Sequence, residues 1–192
     1  MKIKDEPLDD FEAALADVAD VPDWRAVWGR PAELTELRER VQAATGWASE
    51  PVTGSEDVRQ RAWSFTTSRG SLVVVGPETA SFALSRGGWS AYRLTGEDYP
   101  AALRILQSQQ WPRYLGLVRG QLGEPQYVGS CVDPGFPTER WRAEYDAREV
   151  GYLAVWRRPG LEVHLYAAHA GLEFDPAHPA MSVRLLVRRG DG

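Results

Sequence analysis

The most constraining feature of this sequence is a pair of apolar runs, Val150 to Trp156 and Leu161 to Ala167, joined by Arg157-Arg158-Pro159-Gly160. Two such runs around a Pro-Gly turn read as a β-hairpin. Side chains alternate across a strand, so the loop length decides which residues share a face. With a loop of two or four residues, Tyr152, Ala154 and Trp156 lie on one face with Val163, Leu165 and Ala167. The other face carries Leu153, Val155, His164 and Tyr166, with Arg157 and Glu162 at its edge. That second face is too apolar to be simply wet. It calls for cover by a helix of this chain or by another molecule.

The same period of two recurs elsewhere. Ala62 to Thr67 alternates through Trp63 and Phe65, Arg69-Gly70 reads as a hairpin turn, and Leu72 to Val75 reads as a buried strand. Phe82 and Leu84 mark a third strand, and Arg86-Gly87-Gly88 reads as the turn into Trp89 to Leu94. Tyr127-Val128, an alternation of Trp141, Ala143 and Tyr145, the hairpin and a last strand through Met181, Val183, Leu185 and Val187 form a second β region.

Between and before these lie helical patterns. Leu8, Phe11, Leu15 and Val18 make an apolar stripe over 8–19, with Pro7 in the first turn and Pro22 beyond the end. Leu34, Leu37, Val41 and Ala44 make another over 32–45, closed by Gly46. Thr95 and Asp98 resemble a capping box ahead of a helix with Tyr99, Ala102, Leu103 and Leu106. Pro112 should kink or break that helix, and a second segment over 112–122 ends at Gly123.

The order of elements predicts an α+β fold. It comprises two antiparallel β-meanders of about four strands each, a kinked central helix and one or two N-terminal helices. Residues 1–23 read as an acidic N-terminal arm or helix, and 24–192 as a single α+β domain.

The net charge is −5, and it is unevenly placed. Two lysines against eight acids give residues 1–23 a charge of −6, which leaves +1 for the other 169 residues. A neutral body has no basic stripe for phosphates, so nucleic acid is not an expected partner. No apolar run approaches the ~20 residues of a membrane span, and no secretory signal follows Met1 to Lys4, so no membrane is expected either. The basic residues are 20 Arg and only two Lys. A GC-rich genome accounts for that bias; the functional alternative is planar recognition of carboxylate or phosphate. The single Cys131 cannot form an internal disulfide, which suits a cytoplasmic protein.

The chain lacks Gly-x-x-x-x-Gly-Lys, Gly-x-Gly-x-x-Gly and Gly-x-Ser-x-Gly, and its histidines, His164, His169 and His178, show no metal-ligand spacing. Cys131 has no helix N-terminus to activate it, and Glu139, Glu144 and Glu149 read as solvated charges. No catalytic residue, metal or cofactor is expected. The eight Trp and seven Tyr read chiefly as core, with Trp63, Trp89, Trp141 and Trp156 as anchors; some could instead serve an interface.

From Tyr114 onward, the chain resembles small uncharacterised α+β proteins of high-GC bacteria, some of them taken to be immunity proteins against polymorphic toxins. The resemblance rests on Gln121-Leu122-Gly123-Glu124-Pro125, Trp141-Arg142, Val150 to Trp156 and Leu161 to Leu165, under half of the chain. It implies a non-catalytic, protein-binding protein that neutralises or chaperones one partner, possessing no catalytic residue of its own. Candidate contact residues are Asp9, Asp10, Glu12 and Asp17 on the acidic helix, Phe136 and Phe174 in two Pro-containing loops, and Leu153, His164 and Tyr166 on the second hairpin face. The alternatives are a small enzyme or ligand-binding domain, with its pocket between sheet and kinked helix, and an adaptor subunit of a larger assembly. The oligomeric state is open.

Overall fold

The computed structural model describes residues 1–5, 7–28, 34–51, 62–67, 71–75, 83–137, 149–170 and 180–190. Its strands are β1 (Lys2–Asp5), β2 (Ala48–Pro51), β3 (Ala62–Thr66), β4 (Ser71–Val75), β5 (Ala83–Tyr92), β6 (Tyr127–Ser130), β7 (Glu149–Arg158), β8 (Leu161–Ala170) and β9 (Ala180–Arg189). Its helices are α1 (Leu8–Asp20), α2 (Trp24–Trp28), α3 (Leu34–Thr45), α4 (Tyr99–Ile105) and α5 (Trp111–Leu122), with a π-helical turn, Leu106–Gln110, joining the last two. Among the described residues no helix is long and apolar enough to cross a membrane.

The fold is α+β with an antiparallel sheet, but the sheet is not two separate meanders. Among the described residues, eight strands follow one another in the order β2-β3-β4-β5-β9-β8-β7-β6, and β1 joins the same sheet by pairing with β5 off this path. The last strand crosses back to lie between β5 and β8, and this long-range pairing fuses the two β regions. β4 pairs with the first part of β5, through Ala83 to Ser85, and β1 pairs with the last part, Trp89 to Tyr92.

Two local expectations are corrected. Arg86-Gly87-Gly88 is not a turn but the middle of β5, where the register against β9 shifts between Gly87 and Ser90 as a β-bulge. A Cβ on Gly88 would stand 2.6 Å from the Tyr114 ring, so glycine there lets α5 approach the strand. Nor does Pro112 break the helix. The Trp111 N–H reaches back five residues to the Leu106 carbonyl, and this wider turn places Pro112 in the first turn of α5. A proline costs little there, because its missing N–H would have had no partner.

The hairpin forms with a tight Pro159-Gly160 turn, Gly160 adopting φ 75°. Tyr152, Ala154 and Trp156 share the helix-covered face with Val163, Leu165 and Ala167. Trp156 is 2% exposed, and its indole N–H donates to the Gly123 carbonyl at 2.8 Å, tying β7 to the end of α5. The α1 stripe joins the same core: Phe11, Ala14, Leu15 and Val18 are buried, and Phe11 meets Tyr114 edge-on at 4.8 Å. Trp24 stacks on Trp28 at 5.5 Å and donates to the Val18 carbonyl at 3.0 Å. Trp89 is buried and Trp63 half-buried beneath the Arg38 guanidinium. The Arg69-Gly70 turn, Phe82, the alternation of Trp141, Ala143 and Tyr145, Phe174 and His178 lie outside the described residues.

Candidate functional site

The chemistry-bearing side chains gather on the sheet face away from the helices. Directly opposed residues of antiparallel strands point the same way, so the register orders this face in rows across the strands. One row runs Arg157, Glu162, Arg188. The next runs Val155, His164, Leu186, and the next Leu153, Tyr166, Arg184, Gly87. A further row runs Lys4, Ser90, Ser182, Ala168.

The first two rows hold a buried charge network. Glu162 is 4% exposed, Arg188 7% and His164 fully buried. Arg188 donates to one Glu162 oxygen through Nη2 at 2.8 Å and Nε at 3.1 Å, and Arg157 Nε donates to the other at 2.9 Å. His164 Nε2 lies 3.4 Å from the oxygen that Arg188 holds. Burial opposes ionisation of Glu162. The nearby His164, then Arg188, outweigh it and hold the carboxyl well below the usual carboxylate range. The network fixes one carboxylate among cations.

Beside it lies a small apolar cluster of Phe136, Leu153, Val155, Tyr166 and Ala168. Phe136 arrives on the loop after β6. There Asp133 accepts from the Ser130 N–H and its own N–H donates to the Ser130 carbonyl at 2.9 Å. The Phe136 N–H in turn donates to the Asp133 carbonyl at 3.2 Å. Where a helix or another molecule was expected to cover this face, a loop of the chain contributes the cover over the apolar cluster. Tyr127, packed against the same cluster, has its phenol pushed up by burial and by nearby Asp133.

The third and fourth rows open into a cleft of about 310 Å³ at the junction of β1, β5 and β9. Lys4, Arg86 and Arg184 are among the residues that line it, together with Ser85, Ser90 and Ser182. No carboxylate is among the described residues that line it. The bulge forms part of its wall, and Gly87 opens onto it with no atom within 4 Å of where a Cβ would stand.

The candidate residues thus separate into two groups. Phe136, Leu153, His164 and Tyr166 come together on this face, all buried. Asp9, Asp10 and Glu12 are exposed on the outer side of α1, while Asp17 on the same helix is buried. Glu12 accepts from Gln121 at 3.2 Å, which fastens α1 to α5. Cys131 is exposed and donates its N–H to the Gly151 carbonyl at 3.0 Å. Among the described residues no group of His, Cys, Asp and Glu could hold a metal ion.

Sequence reading missed every residue of the cleft. They come from positions 4, 85–90 and 182–184, so no local spacing joins them. The one available signal was Arg184, a charge on the outward side of an otherwise apolar strand. Comparison with protein families, curated proteins and solved structures finds no match.

Proposed function

We propose that this is a cytosolic binding protein that engages one protein partner by surface complementarity rather than turning over a substrate. One observation carries the reading: α1 presents Asp9, Asp10 and Glu12 to solvent while its opposite stripe is buried in the core. A charged face on a docked helix is pre-organised. It meets a basic surface without the ordering cost that a free acidic tail would incur on binding. Its charges speed encounter more than they deepen affinity. The acidity of residues 1–23 against a near-neutral remainder points the same way. The resemblance to immunity proteins implies occlusion as the mode of action. The buried Phe136, Leu153, His164 and Tyr166 then support the scaffold and do not make the contact.

The test is reconstitution of a complex from two purified proteins, after affinity capture from the source cells. We expect a binary complex whose association slows in about 0.5 M salt, where screening shortens to a few ångströms. It should slow likewise in the triple variant Asp9→Asn, Asp10→Asn, Glu12→Gln. A complex indifferent to both changes contradicts the reading, as does turnover by the pure protein that a point substitution abolishes.

A further inference from the structure

We propose that the outer edge of β1 is a strand-addition site that takes an extended, acidic segment of a protein partner. The segment would run antiparallel to β1, extend the sheet by main-chain hydrogen bonds and set a carboxylate against Lys2.

The sheet has a step at β1. β9 pairs along one edge of β5, so β4 and β1 share the other edge. β4 takes Ala83 to Ser85 and β1 takes Trp89 to Tyr92. β3 continues the sheet beyond β4. Among the described residues no strand continues it beyond β1, and all four residues of β1 are exposed. A strand added there would lie in line with β3.

The other two outer edges are closed against such pairing. β2 ends in Pro51, which has no N–H to offer, and carries the exposed charge of Glu50. On β6 the following loop takes both backbone groups of Ser130. Its N–H donates to the Asp133 carboxylate, and its carbonyl accepts the Asp133 N–H at 2.9 Å. β1 reads Lys-Ile-Lys-Asp and has no proline. It is also held in place. Asp5 accepts from Arg113 Nη1 at 3.2 Å and from the Tyr114 hydroxyl at 3.3 Å, which fixes the end of β1 to α5. An edge already ordered lowers the cost of binding.

Side chains decide the occupant. Lys4 stands with Ser90 on the face away from the helices, and alternation puts Lys2 on that face too. Ile3, opposite Ala91, stands on the helix side and is 49% exposed. Opposed residues of an antiparallel pair share a face, so a segment with alternate acids meets the lysine face, and its intervening apolar residue meets Ile3. A second copy of β1 fits badly. A two-fold axis between copies must pass through a pair of identical residues, because opposed side chains share a face. Through Ile3, it sets Lys2 against Lys4 of the copy; through Lys4, it sets two lysines against each other. Like charges directly opposed are unfavourable. The lysines keep copies apart and admit an acidic strand.

The inference deepens the protein-partner reading by naming a second contact of opposite sign. It rests on other residues, because β1 and the exposed acids of α1 share none. Its test uses peptides and no partner, so a failure here leaves the α1 reading standing.

The test is an NMR titration of the isotope-labelled full-length protein with the blocked peptide acetyl-Thr-Glu-Val-Glu-Val-Thr-amide. Its lysine counterpart, acetyl-Thr-Lys-Val-Lys-Val-Thr-amide, is the control. We expect the acidic peptide to bind with a Kd of about 1 mM or tighter and to shift the amide signals of Lys2 to Asp5 most. The lysine peptide should bind at least about tenfold more weakly. The N–H groups of alternate residues point to opposite edges of a strand. N-methylation of the two Glu nitrogens or of the two Val nitrogens should therefore abolish binding in one case and spare it in the other. Lys2→Glu, an exposed change, should weaken the acidic peptide by about 5- to 10-fold, as a cross-strand attraction becomes a repulsion. No binding at about 5 mM, equal binding of the two peptides, shifts centred on β2 or β6, or indifference to both methylation patterns would overturn the proposal.

Discussion

The two faces of the sheet are built from alternate residues of the same strands, and they solve opposite problems. On the helix side, Trp156, Val163, Leu165, Ala167, Met181, Val183, Leu185 and Val187 form one dry layer under α1, α2 and α5. On the far side, beside the apolar cluster of Leu153, Val155 and Ala168, the intervening residues include Arg157, Glu162, His164, Tyr166, Ser182, Arg184 and Arg188. The first face is held by apolar burial, which is non-directional and tolerant of small shifts. The second depends on pairing, because a buried charge without its partner is strongly unfavourable. Within that second face, Arg188 is satisfied by Glu162, while Arg184 lines an open cleft. The difference teaches where to look for binding: at the charged residues the fold leaves facing a space.

The comparison breaks most visibly on the helix side. Trp156→Ala removes a large buried side chain and the donor to the Gly123 carbonyl, and should cost roughly 3–5 kcal/mol. Urea denaturation measures it; a shift in midpoint equivalent to less than about 1 kcal/mol would show that the hairpin does not anchor the core.

Glu162→Gln is next. It keeps the shape but removes the negative charge that takes two hydrogen bonds from the buried Arg188, and should cost about 3 kcal/mol. The sign with pH follows from the depressed carboxyl. Its stabilisation is fully present above the unfolded value near ~4.3 and is lost as pH falls toward the lower folded value. The wild type should therefore lose stability on acidification below about pH 4, and the variant should lose less of it. Denaturation midpoints at neutral pH and near pH 3 check this; parallel losses in both proteins would remove Glu162 from the account.

Gly88→Ala probes the place where the two faces meet. A methyl group there would have to displace the Tyr114 ring, so we expect a cost of roughly 1–3 kcal/mol, read from thermal melting. Arg184→Gln should change stability by no more than about 0.5 kcal/mol, since Arg184 is exposed. The smallest effect on folding belongs to Asp9→Asn and Asp10→Asn, exposed acids in the first turn of α1, which should cost only a few tenths of a kcal/mol through the helix dipole.

Local periodicity carried much of this architecture into view. The hairpin faces and the α1 stripe were legible because each follows from spacing alone: two for Leu161 to Ala167, three and four for Leu8, Phe11, Leu15 and Val18. What escaped was non-local. Gly87-Gly88 looks like a turn in any short window, and becomes a strand only because β9 and β1 pair along it from either end of the chain. β1 itself is four exposed residues with no apolar face to announce it. The π turn depends on Trp111 reaching past Ser108 to Leu106, a register that Pro112 alone does not signal. The exposure of Asp9, Asp10 and Glu12 follows from the stripe on the other side of α1, whereas Asp17 on the same helix is buried. The cleft could not be read, since positions 4, 85–90 and 182–184 come together only when the sheet is assembled.

The most direct test of the division between the faces is thermal melting of the wild type, Glu162→Gln and Arg184→Gln. Glu162→Gln should melt at a lower midpoint, because it breaks a buried charge network, and Arg184→Gln should keep the wild-type midpoint, because Arg184 is exposed. If Arg184→Gln instead lowers the midpoint as much as Glu162→Gln does, Arg184 belongs to the scaffold and the account is contradicted.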